Sequence, residues 1–259
     1  MALELAATEY GEGPPVLVLH GLLGSGRNWT SVAQKLAASH RVFTLDLRNH
    51  GASPWAETMT YAEMAEDVRA FVKARGLGRV ALIGHSMGGK VAMAVALADG
   101  EIVERLVVVD IAPAAYPPTH LDYVRAMRAV DLGRVTRRAD VDAQLTAAVP
   151  NPAERAFILQ NLVLGDGRAS WRPNLAALER AMGDIAAFPA FPPGCTYAGP
   201  TLFVAGGRSD YVRPEHEPAI RQLFPQAGII RIPGAGHWVH AERPDEFLRT
   251  VTPFLAGDV

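Results

Sequence analysis

Short apolar runs alternate along the chain with longer amphipathic stretches. Pro15 to Leu19 reads Pro-Val-Leu-Val-Leu and is too short for a helix. Val42 to Leu47, Val80 to Ile83, Leu106 to Val109 and Thr201 to Ala205 are short, largely apolar runs of the same kind. Strands without a polar face suit a parallel sheet covered on both sides. Leu3 to Thr8 is expected as an outer strand leading in, and Gly228 to Ile232 as the last strand. Helical patterns lie between them: Trp29 to Ala38, Thr60 to Arg75, Met87 to Ala98, Pro214 to Phe224 and Pro244 to Leu255. Thr60 with Glu63 three residues on has the capping-box spacing. The Ala-, Met- and Val-rich segment from Met87 reads as a buried helix, and the last two segments open on proline. Such alternation predicts a parallel sheet with right-handed crossovers and helices on both faces.

The alternation breaks between about Ala114 and Gly199. Leu121 to Ala129, Val141 to Val149, Pro152 to Leu164 and Asn174 to Met182 look helical, and no strand run stands out. Prolines cluster at both ends of this stretch. The expected organisation is a core of residues 1–113 and 200–259 with a helical cap at 114–199.

Composition narrows the picture. Of 259 residues, 49% are hydrophobic and 20% charged, and a chain of that length can bury a full α/β core. With 25 basic and 27 acidic residues, the net charge of −2 supplies no field for nucleic acid. One cysteine, Cys195, excludes an intramolecular disulfide framework and a cysteine-rich metal site. No uncharged apolar stretch is long enough to span a membrane. The opening Met1-Ala2-Leu3-Glu4-Leu5 lacks the basic and apolar regions of a secretion signal, so the cytoplasm is the expected location. Zinc-protease, C-x-x-C, Walker and dinucleotide signatures are missing, and Gly21 to Gly26 has no phosphate-binding lysine. No cofactor and no metal are expected.

The sharpest chemical feature is Gly84-His85-Ser86-Met87-Gly88-Gly89, a G-x-S-x-G between a strand run and a helix. That context puts a serine on a tight turn with its hydroxyl exposed as a nucleophile. Acyl transfer also needs two N–H donors for the tetrahedral oxyanion. Met87, directly after the nucleophile, offers one. The loop His20-Gly21-Leu22-Leu23-Gly24 offers the other, from Leu22, with Leu23 as the near alternative. Gly234-Ala235-Gly236-His237-Trp238-Val239-His240 follows the last strand run, and His237 is the expected general base. His240 is expected to be structural. Two acids compete. Asp110 ends the run at Leu106 to Val109, and Asp210 follows the run at Thr201 to Ala205. Both lie at carboxyl ends of strands, where sites of such sheets form. The later strand is the commoner source of the acid in this kind of site, which leaves Asp210 open beside Asp110. Asp46, Arg48 and Asn49 are expected to brace a loop beside the site, with His50 packed beneath.

Together these motifs resemble the α/β-hydrolase superfamily over nearly the whole chain. A narrower likeness is carried by His20-Gly21-Leu22-Leu23-Gly24-Ser25 with Asn28-Trp29, Asp46-Leu47-Arg48-Asn49-His50-Gly51 and Gly84 to Lys90. Val109-Asp110-Ile111-Ala112-Pro113, Trp171-Arg172-Pro173-Asn174-Leu175 and Gly236-His237-Trp238-Val239-His240-Ala241 complete it. This set is similar to the YbfF-type esterases. The resemblance implies an α/β-hydrolase fold and hydrolysis of short acyl esters or thioesters beneath a small helical cap. It also implies Asp110 as the acid, against the fold-wide preference for Asp210. Candidate substrate-binding residues are Leu23, Tyr116, Tyr123, Trp171 and Trp238, with Phe157 a further aromatic of the cap. The alternatives are C–C bond hydrolysis or cofactor-free perhydrolysis on the same frame, or a small-ligand receptor without catalysis. A haloalkane dehalogenase is disfavoured because Ser86 stands where that chemistry needs an aspartate. The expected partner is a small acyl ester or thioester, neither nucleic acid nor membrane, and the sequence leaves the oligomeric state open.

Overall fold

A computed structural model describes residues 2–165 and 167–258. The strands are β1 (Ala7–Tyr10), β2 (Pro15–Leu19), β3 (Arg41–Leu45), β4 (Val80–His85), β5 (Val103–Val109), β6 (Leu162–Gly165), β7 (Arg168–Trp171), β8 (Thr201–Gly206) and β9 (Ala227–Ile232). The helices are α1 (Thr30–Leu36), α2 (Tyr61–Ala74), α3 (Met87–Ala98), α4 (Leu121–Ala129), α5 (Arg138–Leu145), α6 (Pro152–Leu159), α7 (Leu175–Ala186), α8 (Glu217–Leu223), α9 (Val239–Glu242) and α10 (Pro244–Ala256).

Seven strands form one sheet in the order β1-β3-β2-β4-β5-β8-β9. Every pairing in it is parallel except β1 with β3. The continuous apolar runs are explained by what covers the two faces. Val16 and Val18 of β2 join Val107 and Val109 of β5 in a core with Val32 and Leu36 of α1 and Phe247 and Val251 of α10. Their neighbours Leu17, Leu19, Leu106 and Val108 face the other way, against Met64 and Val68 of α2 and Val91 and Val95 of α3. Side chains alternate across a strand, so burial on both faces demands apolar residues throughout.

Most boundaries lie within a few residues of expectation. The outer strand is displaced, running Ala7–Tyr10 instead of Leu3 to Thr8. Its opening half is held by other means: Leu3 N–H donates to Asp67 Oδ1 at 2.7 Å, and Leu5 is buried in the core. Helix α2 starts as its capping box requires. Glu63 N–H donates to the Thr60 hydroxyl at 3.3 Å, and Thr60 N–H to Glu63 Oε2 at 2.9 Å. Thr60→Ala removes one half of that exchange and is expected to lower stability by about 1 kcal/mol, read as a shift of the urea midpoint at constant slope.

Between β5 and β8 the chain adds no strand to the large sheet. It forms α4 to α7 and a separate antiparallel hairpin, β6 with β7. The hairpin corrects the expectation of helix through Leu164 and of no strand in this segment. Helix α6 ends at Leu159, and Leu162-Val163-Leu164 pairs with Ala169-Ser170-Trp171. Two four-residue strands are too short to display a period of two, and their apolar residues extend the preceding helical pattern by chance. Val124, Met127, Val141, Leu145 and Leu178 of this segment continue the core on the α2 and α3 face.

Candidate active site

The tight turn between β4 and α3 sets the site. Ser86 adopts φ 52° and ψ −119°, a conformation L-residues rarely hold. The two glycines that flank it are required by space. A Cβ on Gly84 would come within 2.2 Å of the Gly88 carbonyl oxygen, and one on Gly88 within 2.4 Å of the Leu19 carbonyl oxygen. Ser86 N–H donates to Val109 O at 3.0 Å and ties the turn to the tip of β5. The serine is half-buried and lines a cavity of about 510 Å³.

Asp110 ends β5 with φ 49° and is wholly buried. His237 lies in the loop after β9, and its Nδ1–H donates to Asp110 Oδ2 at 2.8 Å. Ser209 donates its hydroxyl to the same oxygen, and Gly206 N–H donates to Oδ1 at 2.8 Å. Three donors therefore hold the carboxylate from strand tips β8 and β9. With Nδ1 occupied, Nε2 is the ring nitrogen of His237 left to accept a proton. The Tyr211 ring stacks on the imidazole at 4.1 Å between centroids. His85, next to Ser86, donates from Nε2 to His237 O at 2.9 Å and fixes the loop beside the serine. Burial holds His85 well below the ordinary imidazole range, so it stays neutral. Asp210 is exposed and has no side-chain hydrogen bond among the described residues.

The loop after β2 is built on two neutral histidines. Leu47 N–H donates to His20 Nε2 at 3.0 Å, and Leu23 N–H donates to His50 Nε2 at 3.2 Å. Burial pushes His20 down to about 4 and His50 to about 3, which preserves the lone pairs that accept these bonds. Leu23 N–H is therefore committed to His50. Leu22 and Met87 both line the cavity, and neither N–H has an acceptor among the described residues. Met87 is the first residue of α3, where helix N–H groups lack internal partners. Asp46 braces the loop by accepting Gly26 N–H and Ala52 N–H, each at 2.7 Å. Arg48 forms a buried two-pronged pair with Asp67 at 2.6 and 2.9 Å.

Tyr116, Tyr123, Phe157 and Trp238 line the cavity together with Leu22 and Leu23. Trp171 is not among these lining residues. It is buried in the segment between β5 and β8, where its indole N–H donates to Met127 O at 2.8 Å. Asn174, from the same motif, caps α7 and donates from both its backbone and its amide to Asn49. Trp171 and Asn174 thus join parts of the frame to one another. Ser209, Tyr211 and Lys90 were not singled out as site residues, yet all three touch the site or its cavity. Ser209 and Tyr211 flank Asp210, so that loop was legible through their neighbour. His240, expected to be structural, is buried and stacks on Trp29 at 3.8 Å.

Among the described residues no cluster of potential metal ligands occurs, and no helix is long and apolar enough to cross a membrane. A family model described as alpha/beta hydrolase fold matches residues 14–244. An sn-1-specific diacylglycerol lipase, ABHD11, of Mus musculus is 43% identical over 251 residues, covering 94% of this chain and 81% of that protein. Esterase YbfF of Escherichia coli is 34% identical over 242 residues, covering 93% and 92%. The structure of an esterase from a marine microorganism superposes with a TM-score of 0.95 at 38% identity, covering 98% of this chain and all of that one.

Proposed function

The chain belongs to the α/β-hydrolase fold family, and on that premise we propose that it is a serine carboxylesterase acting on short-to-medium acyl esters or thioesters. The observation that carries this reading is the 2.8 Å bond from His237 Nδ1 to buried Asp110, on the same cavity as the strained Ser86 turn.

In the proposed reaction Ser86 Oγ attacks the acyl carbonyl carbon while its proton passes to His237 Nε2. Asp110 fixes the tautomer and stabilises the imidazolium. The N–H groups of Leu22 and Met87 hold the oxyanion, in a loop and at a helix end that need no rearrangement. His237 then hands the proton to the leaving oxygen or sulfur, giving the alcohol or thiol and an acyl-enzyme. Water, deprotonated by the same imidazole, attacks the acyl carbon, and the acid leaves as Ser86 recovers its proton. In this reading residues 114–199 act as a cap over residues 1–113 and 200–259, and Tyr116, Tyr123, Phe157 and Trp238 are substrate walls. A free thiol at Cys195 is compatible with the reducing cytoplasm, which we take as the site of action.

A cavity of about 510 Å³ supports small substrates. Across p-nitrophenyl esters, kcat/KM is expected to peak at short chains and fall beyond about six to eight carbons. A rate climbing steadily to about twelve carbons would replace the size limit with a lipase-like open site.

A further inference from the structure

One wall of the cavity holds a buried lysine with no part in the proposed acyl transfer, and burial pushes its amine down to about 7. Lys90 lies one helical turn beyond Ser86 on α3 and is 2% exposed. Its Nζ donates to the carbonyls of Ala187 at 2.7 Å, Ala186 at 2.9 Å and Ile185 at 3.4 Å. These form the C-terminal end of α7, where carbonyls lack helical partners and the helix dipole favours a positive charge. The rings of Tyr116 and Tyr61 lie 4.9 and 5.8 Å from Nζ, and no carboxylate pairs with it among the described residues.

Every hydrogen-bond partner of Lys90 Nζ among the described residues is a carbonyl at the end of α7, so the amine acts on the substrate through the helix it holds. Met182, Ile185 and Ala186 of that helix line the cavity beside Tyr61 and Ile111. His237 must stand next to the leaving atom to protonate it, which puts the leaving group toward Trp238 and Phe157. The acyl chain then runs the other way, toward the α7 wall.

We propose that Lys90 is a positioning residue that seats the end of α7 on α3 and so sets the acyl-length limit of the cavity. The proposal rests on the esterase reading. Without the lysine, Ala187 O loses its donor, while Ala186 O keeps only Tyr116 N–H and Ile185 O only the Tyr61 hydroxyl; the last turn of α7 is then held less tightly against α3 and the acyl site lengthens.

The test compares p-nitrophenyl acetate with p-nitrophenyl octanoate. In Lys90→Met the octanoate-to-acetate ratio of kcat/KM is expected to rise about tenfold, mainly through a lower KM for octanoate. Lys90→Gln, whose amide still donates to the same end of α7, is expected to move the ratio less. An active wild type whose folded Lys90→Met keeps the wild-type ratio overturns the role of Lys90 alone. If Lys90→Met does not fold, an unchanged ratio in Lys90→Gln does the same. A wild type inert toward both esters, with Ser86 unlabelled by a fluorophosphonate, overturns this proposal and the esterase reading together.

Discussion

Ser86→Ala is expected to lower kcat for ester hydrolysis by about 10⁶-fold, because removal of a triad nucleophile forfeits the unit as a whole. In the proposed reaction proximity, base and oxyanion donors all act around the serine oxygen, so once it is gone Asp110 and His237 have nothing to activate. What remains is binding and the oxyanion donors acting on water. The fold is expected to survive. Ser86 makes no side-chain hydrogen bond among the described residues, and alanine replaces a half-buried hydroxymethyl group. The strained φ of 52° persists for alanine as for serine, so little stability changes in either direction. Steady-state rates on p-nitrophenyl acetate, together with a circular dichroism melt, check both halves. Activity within tenfold of wild type in a folded variant would remove Ser86 from the mechanism.

Strand positions were legible because burial on both faces leaves a compositional trace. Val16 to Leu19 is apolar without a break since consecutive residues face different helices. Helix α2 was legible through Thr60 and Glu63, whose spacing is a local hydrogen-bond exchange. The β6–β7 hairpin was not, since four residues give no period and only pairing with each other makes them strands. The site divides the same way. Ser86 and the loop proposed to hold the oxyanion sit at strand-to-loop junctions that glycine marks. Lys90, Ser209 and Tyr211 matter through what reaches them across the fold: the end of α7, the tip of β5 and the His237 ring. The choice between Asp110 and Asp210 was open for a related reason. Both end neighbouring strands, and the difference between them is burial and donors, which strand-end position does not encode.

That difference makes the acid a quantitative test. Asp110→Asn is expected to cost on the order of 10⁴ in kcat, the loss found when a triad carboxylate becomes an amide. An amide at Asp110 keeps an oxygen for Gly206 N–H but turns an NH₂ toward His237 Nδ1 and Ser209. His237 must then carry its proton on Nε2, the nitrogen meant to receive one from Ser86, and the imidazolium loses its counter-charge. Asp210→Asn is expected to cost less than about tenfold, because an exposed carboxylate is screened by water and adds little to the base. Both variants should be compared by kcat on p-nitrophenyl acetate under the same conditions. A larger loss in Asp210→Asn would move the acid to β8 and require the loop holding Ser209 and Tyr211 to rearrange on substrate binding. Equal, moderate losses would mean that either carboxylate can orient the imidazole, and the three donors gathered on Asp110 would then serve the junction of β5 with β8 instead of the base.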